Sequence, residues 1–232
     1  MIQVLQNWHE IGAATLALQR AGLPLHDTVQ KNWDQYLLWQ LAAPLDRQAH
    51  LVDLGCGAGH ALKLLHTLGF AHLSGVDFQI SYTLRLRQLR GAWQQRGRKP
   101  YALCRGDLTR TPLADASQDV VLSISTIEHG VDVGQFLSEA SRLLKPGGLL
   151  FVTTDYWEEK LRPDGAVREF GLPWRVFSRP EIEALIEQAQ RTRLVLDKEG
   201  SVPACEEQTV WWHGQNYTFL ALVFRKQPPI LP

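Results

Sequence analysis

The chain lacks a surplus of either charge: 24 lysines and arginines stand against 24 aspartates and glutamates in 232 residues. Proteins that track a phosphate backbone usually show a basic excess, so nucleic-acid binding is disfavoured. The local group Arg85, Arg87, Arg90, Arg96, Arg98 and Lys99 has the spacing of a solvated helix face. Cysteine is scarce. Cys56, Cys104 and Cys205 form no CxxC pair, which argues against a disulfide framework and for a reducing compartment. No run approaches the roughly 18 apolar residues of a membrane-crossing helix. The first residues lack the basic and continuous apolar segments of a signal peptide, so a cytoplasmic location is expected. Internal repeats and low-complexity tracts are also missing. Hydrophobic residues make up 45% and charged residues 21%, which excludes disorder and coiled coil as descriptions of the whole chain.

What is present divides near residue 48. Residues 1–48 show apolar positions at helical spacing, Ile11, Leu16 and Leu18, then Trp33, Tyr36, Leu37 and Leu41. The stretch AGLPLHD at 21–27 separates them into two helices. From residue 49 onward, short apolar runs alternate with longer amphipathic segments. The runs fall at 51–55, 72–77, 101–107, 119–125 and 149–155, with helices expected at 58–68, 79–97 and 132–144. That alternation predicts βαβ units and a mostly parallel, doubly wound α/β sheet. LKPGG at 144–148 reads as a helix stop and a turn. Residues 156–180, with Pro163, Gly165, Gly171 and Pro173, lack periodicity and are expected to form an inserted loop. Ser178 and Glu181 then make a capping box, and strands follow at 193–197 and 216–224.

The strongest motif is VDLGCGAGH at 52–60, where a strand runs through Asp53 into a GxGxG loop and a helix. Gly55 and Gly57 let the backbone turn tightly and approach a ligand closely. The spacing is not the GxGxxG of the dinucleotide fingerprint. A carboxylate at Asp53 repels a diphosphate and attracts a cationic amine. Asp77 ends the second strand, about 20 residues beyond the loop, where such folds hold ribose hydroxyls. Asp107 ends the third and can accept from an exocyclic amine, while a turn-forming role before LTRTP stays open. These strand ends meet on the carboxyl edge of one sheet, the usual ligand edge. Cys56 reads as a small loop filler.

These features resemble the class I S-adenosylmethionine-dependent methyltransferases over roughly residues 50–155. VDLGCGAG looks like that family's first motif and GVDFQ like its second. GDLTRTPLADASQDVVLSISTIEH resembles the adenine-side loop and fourth strand, and LSEASRLLKPGGLLFVTTD the following helix, turn and fifth strand. The resemblance implies a Rossmann-like, seven-stranded sheet with an antiparallel last strand, an N-terminal helical cap over 1–48, and a methyltransferase domain over 49–232. It implies S-adenosylmethionine as cofactor. The backbone of Gly55 and Gly57 would face the methionine moiety, with Asp53 nearby. Asp77 would hold the ribose, Phe78 would lie against adenine, and Asp107 with the Leu108 amide would read the adenine edge. Ser123 or Ile124 would line the methyl-donor side.

Glu128 and His129 follow the fourth strand. Some related O-methyltransferases hold a divalent metal there with a Glu-x-x-Glu-His pattern. Here Ser125 stands in place of the first glutamate, and one carboxylate with one imidazole makes a poor hard-cation site, so no metal is expected. His129 is the candidate base, which favours an oxygen acceptor; a helix-capping role for the pair stays open. The acceptor is expected to be a small molecule, with aromatic walls at Tyr36, Tyr156, Trp157 and Trp174; core filling stays open as the other reading of the tryptophans. The segment KNWDQY at 31–36 is a candidate lid. Two other readings stay open: a cofactor-binding subunit without catalysis, and a protein or RNA methyltransferase. Zero net charge and Ser-Ile-Ser-Thr after strand four, in place of an Asn-Pro-Pro-Tyr type tetrapeptide, weigh against the latter. Oligomeric state is not legible.

Overall fold

The computed structural model describes residues 1–80, 82, 84–86, 100–161, 167–169 and 171–228. The strands are β1 (Ile2–Val4), β2 (His50–Leu54), β3 (His72–Asp77), β4 (Ala102–Arg105), β5 (Gln118–Ile124), β6 (Leu144–Trp157), β7 (Arg168–Glu169), β8 (Leu172–Pro173), β9 (Phe177–Ser178), β10 (Leu194–Leu196), β11 (Val210–Trp212) and β12 (Gln215–Lys226). The helices discussed below are α1 (Trp8–Arg20), α2 (Asn32–Ala42), α3 (His60–Thr67), α4 (Val133–Leu143) and α5 (Arg179–Arg191). Residues 82 and 84–86 are helical, and Arg85 is exposed. The remainder of the helix expected at 79–97 lies largely outside the described residues, as do Arg87, Arg90, Arg96, Arg98, Lys99, Pro163 and Gly165.

The main sheet path is β1-β12-β6-β5-β2-β3-β4, a mixed α/β sheet whose pairs from β6 to β4 are parallel. β12 runs antiparallel to β6. Its far edge is tiled end to end: β10 pairs Leu196 with Phe224, and β1 takes up at Leu222 with Ile2. The 193–197 and 216–224 runs do form the final pair. The helical reading of 1–48 misses β1, whose three residues are too few to show a period. The expected LKPGG turn lies inside β6 as a register break, from Gln118↔Leu144 to Val120↔Leu149. Gly147, at φ 82°, permits that bulge.

Strand parity sorts the sheet's two faces. Leu51, Leu122, Phe151, Phe219 and Ala221 point to a face covered by α1, α2 and α3. Val52, Leu54, Val121, Val152, Tyr156 and Leu220 point to the face covered by α4 and α5. The helices start where their caps dictate. Asn7 Oδ1 accepts from the Glu10 N–H at 3.2 Å, and Asp132 Oδ1 accepts from the Gln135 N–H at 3.0 Å. At α5 the Glu181 carboxylate reaches back to the Ser178 N–H at 2.8 Å, as the capping box predicts. No helix of the described residues is long and apolar enough to cross a membrane.

Phe136 is wholly buried at the centre of the α4 face. Phe136→Ala should lower unfolding free energy by about 3–5 kcal/mol, read as a shift in denaturant midpoint at unchanged slope.

Candidate functional site

β2 lies between β3 and β5, so successive connections leave it in opposite directions. A crevice opens there, at the carboxyl ends of the strands. It holds a cavity of about 670 Å³. One wall is the loop between β2 and α3. Gly55 sits at φ 84°, and a Cβ there would come within 2.2 Å of Thr126 Cγ2, so only glycine fits. Gly57, at φ 46°, donates its N–H to Asp77 Oδ2 at 2.8 Å, while Gln79 N–H bonds Oδ1 at 2.9 Å. Asp77 is thereby fixed at the tip of β3. Cys56 is buried under the loop, and burial pushes its thiol pKa up, as befits a filler.

Asp53 forms the floor. It is buried, and its Oδ1 has no hydrogen-bond partner. Burial, together with the charge of Asp77, pushes its carboxyl up to about 7. A carboxylate left in that state suits a cationic group arriving from the cavity.

The opposite wall comes from the N-terminal segment. Lys31, Asp34 and Gln35 line the cavity, along with Ser125, Thr126 and His129 from the turn after β5. Lys31 Nζ donates to Ser125 Oγ and lies 3.5 Å from the Phe219 ring centroid. Ser125 takes φ 48°, a strained value for a non-glycine residue, at the site itself. Behind these groups lie Glu128, bonded by Thr154 Oγ1 at 3.0 Å, and Asp155, bonded by Trp174 Nε1 at 2.8 Å. Burial raises both carboxyls, and the ammonium of Lys31 opposes the rise. His26 and His60 close the rim, their rings 4.0 Å apart. Among the described residues, no group of three His, Cys, Asp or Glu side chains is placed to hold a metal ion.

The cavity brings together Asp53, Gly55, Gly57, Asp77, Phe78, Leu108, Ile124 and His129 of the residues singled out in the sequence. It does not include Asp107, whose carboxylate accepts from the Thr109 N–H at 2.8 Å and from its hydroxyl in a local turn. Ser123 is fully buried off the lining, one residue out of phase with Ile124. The aromatic residues expected as acceptor walls also lie off it. Tyr156 belongs to β6 rather than to a loop and points to the α4–α5 face. Trp157 packs against the other core, and Tyr36 stands edge-on to Trp39 at 6.1 Å. Trp174 is buried and spends its indole N–H on Asp155. Asp155 itself escaped the sequence reading, although it closes the fifth apolar run as Asp53 and Asp77 do theirs. His26, His60 and Thr126 carried no local signal.

Residues 52–152 match the family model described as a methyltransferase domain. A dimethylglycine N-methyltransferase of Parasynechococcus marenigrum is 36% identical over 123 residues, covering 52% of this chain and 42% of that protein. A ubiquinone biosynthesis O-methyltransferase of Brucella anthropi is 35% identical over 106 residues, covering 45% and 40%. The chain thus spans about two-fifths of the length of these relatives. The crystal structure of geranyl diphosphate C-methyltransferase from Streptomyces coelicolor, with S-adenosyl-L-homocysteine, superposes with a TM-score of 0.64 at 18% identity. It covers 89% of this chain and 88% of that one, and shows the shared fold. The cofactor of this family, S-adenosylmethionine, carries a sulfonium, an amine and a carboxylate. The orphan oxygen of Asp53 and the tight glycine loop beside it, with Gly55 and Gly57 both at positive φ, fit that group.

Because the folded state holds the Asp53 proton up to about pH 7 while the unfolded chain releases it near 3.8, this group lowers stability as pH rises through that window. Asp53→Asn should therefore be the more stable protein at neutral pH, by up to about 4 kcal/mol. The gain should vanish toward pH 4, and denaturant melts at both pH values check this.

Proposed function

We propose that this chain is a class I S-adenosylmethionine-dependent methyltransferase that transfers a methyl group from S-adenosylmethionine to an oxygen of a small-molecule acceptor. The observation that carries the reading is the single cavity that joins the glycine loop, Asp53 and Asp77 to His129. In this reading Asp53 receives the cofactor's cationic side, Asp77 its ribose hydroxyls, and Phe78 and Leu108 its adenine. When bound, the cofactor supplies an electrophilic methyl group on a sulfonium. The protein's part is to hold the acceptor in line with that methyl and to keep bulk water out, which supplies much of the rate of a displacement. His129 takes the acceptor's proton, imidazole being the side chain most often used as a general base.

The finer organisation follows. Residues 1–48 act as a cap over a catalytic domain of 49–232, with 156–180 as its variable segment, and the protein works in the cytoplasm without nucleic acid or membrane as partner. Leu172, on the cavity lining, supports a role for that segment at the acceptor mouth. O-, N- and C-methyltransferases all occur among the similar proteins, and the choice of oxygen rests on His129.

Calorimetry should show S-adenosylhomocysteine binding and no comparable NAD binding; binding of NAD alone would overturn the reading. Asp77→Ala should weaken S-adenosylhomocysteine by at least about tenfold in a folded protein, because charge-assisted bonds to two hydroxyls are lost. With an oxygen acceptor in hand, His129→Ala should lower kcat by roughly 10²–10⁴. Full kcat in that variant would make the imidazole a structural cap.

A further inference from the structure

The cavity wall away from the glycine loop is backed by more buried acidic than basic side chains. Asp34, Glu128 and Asp155 are all buried, and the same ammonium, that of Lys31, acts on each of them. That ammonium is already engaged by Ser125 Oγ and by the Phe219 ring. Protein donors serve two of the carboxyls, Trp174 for Asp155 and Thr154 for Glu128. Asp34 differs. It is on the cavity lining, and its nearest donors, Lys31 Nζ at 3.6 Å and the Thr153 hydroxyl, act on it without closing a full hydrogen bond. A buried carboxylate with only such weakly placed donors is costly, and a ligand that supplies both donors and positive charge lowers that cost.

We propose that the acceptor carries a cationic amine and that Asp34 receives it. The inference rests on the methyl-transfer reading and names the chemical class that its acceptor pocket takes. An ammonium brings several N–H donors and a full charge to Asp34. A neutral hydroxyl in the same place brings a single donor and no charge. A carboxylate would add another negative group beside Asp34, Glu128 and Asp155. The amine anchors one part of the acceptor, and the atom that receives the methyl is a separate group, exposed to His129 on the same cavity.

The test uses isosteric probes on the wild-type protein saturated with S-adenosylhomocysteine. Benzylamine, benzyl alcohol and benzoate are each titrated by calorimetry near pH 8. Benzylamine should bind at least about tenfold more tightly than benzyl alcohol, and benzoate most weakly. Asp34→Asn should erase the amine's advantage and keep S-adenosylhomocysteine binding. A second series on the wild-type protein covers the case of a variant that does not fold. Burial pushes the Asp34 carboxyl up to about 6, so the preference for the amine should shrink as pH falls through that value. The groups facing Asp34 in that series are Lys31 on its own helix start and Asp155 at the end of β6, with Glu128 and His129 beyond. Equal binding of amine and alcohol overturns the proposal. So do a preference for benzoate, an absence of saturable benzylamine binding, an amine preference that survives Asp34→Asn, or one that pH does not move. Failure of S-adenosylhomocysteine to bind the wild-type protein would instead overturn the methyl-transfer reading itself.

Discussion

Pairing between β6 and β12 organises the rest of the molecule. These are the two longest strands, joined from Thr218↔Tyr156 to Arg225↔Leu149. Both bury side chains on both faces, so each must alternate between two hydrophobic cores rather than between a core and water. A slip of one residue would exchange the faces. Asp155 would then enter the α4–α5 core, and Tyr156 would turn toward the cap. The position of the acidic groups behind the cavity therefore follows from register, and register follows from hydrophobic burial on two sides.

The charges at the site depend on that placement. Asp34 comes from the cap, Glu128 from the turn after β5, and Asp155 from the end of β6, three stretches far apart in sequence. Lys31 is the shared counter-charge, and it ties the cap to the strained Ser125 at the sheet edge. Breaking such a buried arrangement by removing its cation leaves uncompensated charge, which costs far more than the pairing itself contributes. The cap and the sheet edge are thus coupled electrostatically as well as by the packing of Trp33, Leu37 and Leu38.

The glycine loop and the strand tips at Asp53 and Asp77 were legible because their chemistry is local. A turn needs glycine, a strand shows a period of two, and a helix start follows immediately. The parallel order of the sheet was legible for a similar reason, since apolar runs alternate with helical ones. The acceptor side was not. Whether Tyr156 or Asp155 faces the cap depends on strand parity over a fourteen-residue element whose start lay hidden in LKPGG. Tyr36 and Asp34 share one helix, and only the packing of α2 decides which of them reaches the cavity. Aromatic side chains such as Trp174 were drawn toward function by their type. Its surroundings make Trp174 a support for the buried carboxylate of Asp155.

The small strand β1 has a consequence for how ligands come and go. The cap leaves the sheet at β1, on the outer edge of β12, and rejoins it at β2, in the middle. It is therefore a strap buckled at both ends rather than a flap on one hinge. Swinging it clear would require unzipping β1 from β12 or stretching the connection into β2. Exchange through the rim, where His26 meets His60, needs neither. Traffic should be governed by small local openings at that rim, and the bulk of the cap should remain as well protected from hydrogen exchange as the sheet to which it is fastened.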